Sequence, residues 1–355
     1  MYRIIFYMFK KYLIGFLLAI TVLLSINLLL IFISELRNIG AHDYTFTVLL
    51  NYILLLIPQN ILDIFPYALL IGCMISFGSM AFHSEFVAIN SHGVGIKKII
   101  SIIIIQTFVI SFILTVISNL IAPRYSNEAQ TIKNISLNKA ISDKNLWFRS
   151  ADYIVNVNKI ITDKKLEDII IYNLDNGSLL SIISAENGTY ENKWTFENVL
   201  IHDLSLNKIS VKESFTRQSE DFVPFEILKS QFNKKRYISI QDLYRNIEYH
   251  NDAGIPFENH KVIFWKKVLL PISCCIIIFV GLPFMFTKMR STNQSQRVII
   301  GVLFGITYFV LTSIITNLGL ILGIPALPSV LMSMIFFAFV GYYLFNVLVK
   351  KDIPI

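Results

Sequence analysis

The sequence is short of charge. Only 15% of its 355 residues are Asp, Glu, Lys or Arg, against about a quarter in soluble globular domains. Hydrophobic residues make up 54%, the mean hydropathy is +0.60, and apolar runs reach about 20 residues. Together these exclude a large soluble core and point to a chain that crosses a membrane several times. Cysteine is scarce as well. Cys73, Cys274 and Cys275 all lie inside apolar runs, so the polar middle carries no disulfide framework. The six histidines are scattered and no metal-ligand spacing occurs. Also missing are the phosphate-binding G-x-x-x-x-G-K-[ST], G-x-S-x-G and H-E-x-x-H patterns. The sequence therefore predicts a chain that is not itself an enzyme. Asp63 is the only charge within a span, whereas an ion- or proton-driven carrier needs several. Energy for any transport must come from another protein.

What is present is a series of six apolar runs: Tyr12–Ile33, Val48–Ser79, Ile99–Ile121, Val268–Phe286, Val298–Leu318 and Pro325–Val349. The first follows Arg3, Lys10 and Lys11. It is too long for a signal-peptide core and no small-residue cleavage pattern follows, so it reads as a retained span. Pro58 and Pro66 predict a broken or steeply tilted second span. Ala122-Pro123 ends the third, and Pro271, Gly281 and Pro283 interrupt the fourth. Asp63, between the two prolines of span two, is either an interfacial residue or part of a substrate path. Asn27 and Gln106 read as hydrogen-bonding glue between helices.

Pro123–His260 is a different kind of sequence, with 17 basic and 19 acidic residues. The basic excess therefore belongs to the membrane flanks, and no nucleic-acid-binding face is implied. Strands are predicted over Leu146–Asn158, Asp168–Leu174, Leu179–Glu186, Gly188–Tyr190 with Lys193–Phe196, and Val199–Leu204. Asp175-Asn176-Gly177 and Asn187-Gly188 read as hairpin turns, and Asp242–His250 as a helix. The expected fold is a polytopic α-helical membrane protein, six helices arranged three and three, with an inserted β-sandwich or jelly-roll domain. The predicted divisions are 1–122, 123–260 and 261–355.

Ten Lys and Arg flank the spans on the side of the termini, against Arg37 alone in the short connectors opposite. By the positive-inside rule both termini are cytoplasmic, and the β domain lies outside, in the periplasm of a bacterium. Lys266 and Lys267 sit at the other end of span four. They either snorkel to the interface or contact an anionic lipid headgroup.

On the cytoplasmic side Met80–Ile99 holds His83, Glu85, Asn90, His92, Lys97 and Lys98. It predicts a short amphipathic helix, Ser84–Ser91, at the membrane face, ended by Gly93 and Gly95. Such a helix between two spans is placed either to receive motion from an ATPase or to remain a solvated loop.

Several segments together resemble the lipopolysaccharide-export permeases, the LptF/LptG family, and within it the LptG branch. These are Phe65-Pro66 through Gly72, Phe77–Ala81, Ser84-Glu85-Phe86-Val87-Ala88 and Ser91-His92-Gly93. Ala122-Pro123, Leu146-Trp147, Ser239-Ile240 to Leu243, and Phe264-Trp265-Lys266-Lys267 to Pro271 follow in order. Gly301–Gly305 and Gly323-Ile324-Pro325 complete the series. The resemblance implies the membrane subunit of an ATP-driven ABC transporter that extracts lipopolysaccharide from the Gram-negative inner membrane. It implies an LptF-like permease partner, an LptB-like ATPase dimer carrying ATP and Mg, and LptC- and LptA-like periplasmic jelly-roll proteins. The coupling helix then comprises Ser84, Glu85, Phe86, Val87, Ile89, His92 and Gly93. The substrate cavity draws on Phe32, Phe65, Tyr308, Leu311 and Ile315. Where the family can carry basic residues on spans one and two, this chain has Ile31 and Gln59, and Arg37 is the nearest cation. Lys266 and Lys267 are headgroup candidates. No cofactor is expected on this chain. A non-transporting scaffold or mechanotransmission subunit of another envelope complex is the alternative.

Overall fold

The structure, a computed structural model, describes residues 2–138, 146–149, 153–162, 165–175, 178–191, 193–204, 208–218, 238–252, 258–286 and 294–349. Helices are α1 (Tyr2–Leu36), α2 (Phe46–Phe82), α3 (Glu85–Ser91) and α4 (Ile96–Ser136). Strands β1 (Leu146–Arg149), β2 (Tyr153–Thr162), β3 (Lys165–Asp175), β4 (Ser178–Tyr190), β5 (Lys193–Asp203) and β6 (Lys208–Gln218) follow. Then come α5 (Ile240–Asp252), α6 (Glu258–Val268), α7 (Leu270–Gly281), α8 (Pro283–Phe286), α9 (Gln294–Ile321) and α10 (Ala326–Leu344). A π-helical turn, Phe345–Val349, continues α10.

Among the described residues five helices are long and apolar enough to cross a membrane, and a sixth crossing arises if α6 and α7 count as one bent span. That pair turns by 65° at Leu269. Pro271, near the start of α7, has no backbone N–H to continue the ladder. Prolines elsewhere do not break their helices, so span two is not the broken helix that was one of its two expected forms, and span three does not end at Ala122-Pro123. α2 runs unbroken through Pro58 and Pro66, a rod of about 55 Å at 1.5 Å per residue. α4 passes Pro123 and continues to Ser136. Each proline removes one backbone donor, a loss that packed neighbours and adjacent hydroxyls absorb in long membrane helices.

The residues form two compact units, 1–31 with 57–122 and 258–355, and 32–56 with 123–257. In the first, the core gathers Met8, Tyr12 and Phe16 of α1, Phe65, Leu69 and Phe77 of α2, Ile99 and Ile103 of α4, and Cys274 and Ile278 of α7. α1 and α2 cross where both lack side chains. A Cβ on Gly72 would sit 2.6 Å from the Phe16 backbone, and one on Gly15 2.7 Å from the Gly72 carbonyl oxygen. Beside this crossing Ser76 Oγ donates to the Lys11 carbonyl at 2.7 Å. Small residues at a crossing are how membrane helices approach closely enough for dispersion and weak hydrogen bonds to hold them. Gln106 of α4 joins the assembly by donating to the Ile5 carbonyl at 3.0 Å.

In the second unit the six strands pair antiparallel in sequence order. The inserted β domain is thus present, its described strands connected as a meander. Val155, Ile171 and Ile183 align across β2, β3 and β4. With Val157, Ile169, Ala185, Trp194 and Phe196 they make one buried face, as a period of two requires. Asp175 pairs with Ser178, so the predicted Asp-Asn-Gly hairpin sits where expected; Asn176 and Gly177 themselves lie outside the described residues. Asn187-Gly188 is no turn. β4 runs straight through it, and Gly188 leaves room for Ile169, whose Cδ1 would lie 2.5 Å from an added Cβ. β6 was not foreseen, and its alternating Ile209-Ser210-Val211-Lys212 is the signal that marks it.

The C-terminal ends of α1 and α4 and the N-terminal end of α2 are tied within this unit. Glu35, 8% exposed, accepts from Asn38 Nδ2 at 2.8 Å, from Tyr44 Oη at 3.4 Å and from Lys133 Nζ. Lys133 also stands over the Tyr52 ring at 5.0 Å.

Candidate functional site

The polar stretch between α2 and α4 folds as the sequence predicts. α3 is one residue shorter at its start because Ser84 takes a left-handed conformation, φ 58°, which breaks the helical path from Phe82. At the other end His92 Nδ1–H donates to the Ala88 carbonyl at 2.7 Å. Gly93, with φ +82°, turns the chain at an angle a side chain resists. Phe86 and Ile89 are buried, and the Phe86 ring lies 6.3 Å from that of Phe77 in α2. Val87 points the other way and is 69% exposed. His83, Ser84, Ala88, Ser91 and His92 are exposed with it.

Glu85 does not hang free in solvent. Its Oε1 accepts from Lys11 Nζ at 2.8 Å and its Oε2 from Tyr7 Oη at 2.9 Å. Both partners stand on the N-terminal part of α1. Partial burial alone would raise its pKa, but the two hydrogen bonds and the ammonium charge of Lys11 outweigh this and hold it below the usual carboxylate range. Lys11 and Tyr7 are residues that sequence reading missed. The signal was slight: a lysine and a tyrosine one helical turn apart, ahead of the first apolar run.

A groove of about 270 Å³ opens between α1, α2 and α9. Its walls include Leu23, Ile26 and Leu30, then Ile64, Tyr67 and Ile71, then Val302 and Ile306. Gly301 and Gly305, one turn apart, leave it room. Asn27 also lines it, and its Oδ1 has no hydrogen-bond partner among the described residues.

The residues chosen from sequence for a cavity stand at several places. Phe65 is fully buried in the helical core. Tyr308 shares a hydrogen bond with Ser273 and packs on Phe337 at 4.6 Å. Leu311 and Ile315 are half-buried on α9. Gln59, 2% exposed, donates from Nε2 to both Asp63 oxygens at 3.2 and 3.3 Å. Phe32 meets Phe46 edge to face at 6.4 Å, and Arg37 is exposed in the connector that follows α1. Lys266 and Lys267 occupy the last turn of α6, half-buried. The spans named from sequence, one, two and five, are those that form the groove, while the seven side chains named on or beside them are absent from its lining.

These features define a polytopic helical membrane protein with an inserted antiparallel β domain and a short helix between two of its spans. Within that class, residues 6–347 match the family described as "Lipopolysaccharide export system permease LptF/LptG", and the chain belongs to it. It is 26% identical over 332 residues to the lipopolysaccharide export system permease protein LptG of Haemophilus influenzae, covering 91% of this chain and 92% of that one. It is 23% identical to LptG of Escherichia coli K12 over 331 residues, with the same coverage of each.

Proposed function

We propose that the chain is the LptG-type membrane subunit of an ATP-driven exporter that lifts lipopolysaccharide out of the inner membrane. In this reading its termini and α3 are cytoplasmic and its β domain periplasmic, as the lysine and arginine asymmetry favours. An LptF-like permease completes the membrane assembly. An LptB-like ATPase dimer docks beneath it, supplying ATP and Mg chemistry, and LptC- and LptA-like proteins receive the cargo from the β domain.

The observation that carries the proposal is the mounting of α3. Phe86 and Ile89 fasten it to α2 and the core, and Glu85 fastens it to α1 through Lys11 and Tyr7. Its opposite side, led by Val87, is open. A partner pressing on Val87, Ser84 and Ser91 would push a rigid piece. That push would reach α1 and α2, two walls of the groove, together. Closing those walls would expel an acyl chain, because the groove offers it apolar contact that disappears as the walls meet.

Replacing Val87 with Asp should weaken copurification of the ATPase and abolish ATP-dependent release of lipopolysaccharide, with membrane insertion unchanged. Normal assembly and export by Val87→Asp and by Glu85→Lys would sink the coupling role. A static scaffold would copurify with the same subunits but show no ATP-dependent change in lipid contact.

A further inference from the structure

From sequence Asn27 is expected to bond to a neighbouring helix. It lines the groove instead, and its buried Oδ1 has no hydrogen-bond partner among the described residues. Thr21 and Ser25, the polar residues just before it on α1, are satisfied within the helix. Thr21 Oγ1 donates to the Leu17 carbonyl and Ser25 Oγ to the Thr21 carbonyl, each at 2.8 Å. An amide oxygen has no proton to give back in that way. Buried polar atoms are nearly always paired, so this one asks for a donor from outside the described chain.

The surroundings narrow what can supply it. On its own helix Asn27 stands between Leu23 and Leu30, one turn to either side, and both line the groove with it. No charged side chain lines the groove, and Tyr67, the other polar side chain in the wall, does not pair with Asn27 Oδ1. The amide is therefore a single polar point part-way along an apolar wall. A water molecule is held by several polar partners and finds few here. A lipid headgroup brings charge, which an uncharged wall does not compensate. A plain acyl chain leaves the amide unpaired. A hydroxyl on an acyl chain supplies one donor and leaves the rest of the chain in apolar contact. It also accepts, so it suits either end of an amide turned over about its last bond.

Gly301 and Gly305 of α9 give such a chain its space. A Cβ on Gly305 would stand 3.5 Å from Tyr67 Cδ1 and 3.7 Å from Leu70 Cδ2, ordinary contacts. An alanine there fits the fold and narrows the groove.

We infer that Asn27 reads a hydroxyl on an acyl chain of the transported glycolipid, so that the groove selects hydroxyacyl cargo over the plain chains of bulk phospholipid. The inference rests on the transport reading above and adds a specificity to it. A site that holds an amide for a hydroxyl rejects the analogue without one, because the amide is then left buried and unpaired.

The test uses the full chain with its native subunits in phosphatidylglycerol vesicles, without ATP. Two synthetic acylated disaccharides are compared, identical except that one has β-hydroxyacyl chains and the other plain chains of equal length. Capture is read by a photocrosslinker replacing the wall residue Ile306. The native chain should capture the hydroxylated form about tenfold better. Asn27→Leu should erase that preference by losing the hydroxylated form while still capturing the plain one. Gly305→Ala should lower capture of both forms and keep the preference. A native chain with no preference would overturn the inference, as would a preference that survives Asn27→Leu. Equal loss of both forms in Asn27→Leu would make Asn27 merely structural and overturn it too. If Gly305→Ala lowers neither form, the groove holds no chain, and the transport reading falls with the inference. Loss of both forms in Gly305→Ala without any native preference removes the hydroxyl specificity alone and leaves the transport reading standing.

Discussion

Glu85 is held from two directions, and this fixes what its replacement should do. An ion pair that is about a quarter to a third exposed is worth roughly 0.5–1 kcal/mol, so Lys11→Glu should loosen α3 without unfolding the helices. Faster proteolysis at the exposed Ser91–Gly93 turn reads this loosening. The double change Lys11→Glu with Glu85→Lys should restore protection, whereas failure of the swap to rescue would mean that the pair does not anchor α3. The pH dependence has a definite sign. Because the folded carboxylate titrates below its ordinary 4.5, the contact is fully present above that value and is lost as pH falls through the depressed one. Protection of the turn should therefore hold from neutral pH down to 4.5 and fall below it, and Glu85→Gln should erase that acid limb.

At the scale of elements, two contacts should govern how the helices stand. Gly72→Ala would drive a methyl group into the Phe16 backbone at 2.6 Å. Backbone cannot swing aside as a side chain does, so the crossing of α1 and α2 must open, at about 1–3 kcal/mol. A lower thermal midpoint of the purified protein checks this; an unchanged one contradicts the close crossing. Removing Lys133 strands the buried Glu35 carboxylate. Lys133→Met should lower stability by about 1–3 kcal/mol, and adding Glu35→Gln should recover part of it because the orphaned charge is then gone. Full additivity of the two changes would deny the contact.

The same elements show what could be read from sequence. The spans and α3 were legible because long apolar runs and their polar interruption are properties of composition. Asp175-Asn176-Gly177 was legible because a two-residue hairpin needs those residue types. Pro123 and Asn187-Gly188 misled. Local breaker signals there are overridden by tertiary partners, a packed α4 in one case and the Ile169 side chain in the other. The partners of Glu85 and Glu35 were hidden because Lys11 and Lys133 lie far away in the chain, and only packing brings them together.

For the whole molecule, family membership across residues 6–347 and the mounting of α3 support the central proposal, that motion imposed on α3 closes the groove and expels lipopolysaccharide. The wall residues Ile64 and Ile306 stand on α2 and α9, so a photocrosslinker at either position samples the groove's contents from opposite sides. The most direct measurement is crosslinking of lipopolysaccharide from these two positions in the reconstituted complex, with and without ATP, in the native chain and in Val87→Asp. The account predicts strong crosslinking without ATP, loss of it on adding ATP, and persistence with ATP in Val87→Asp. Crosslinking that is absent throughout, or equal in all four conditions, would contradict it.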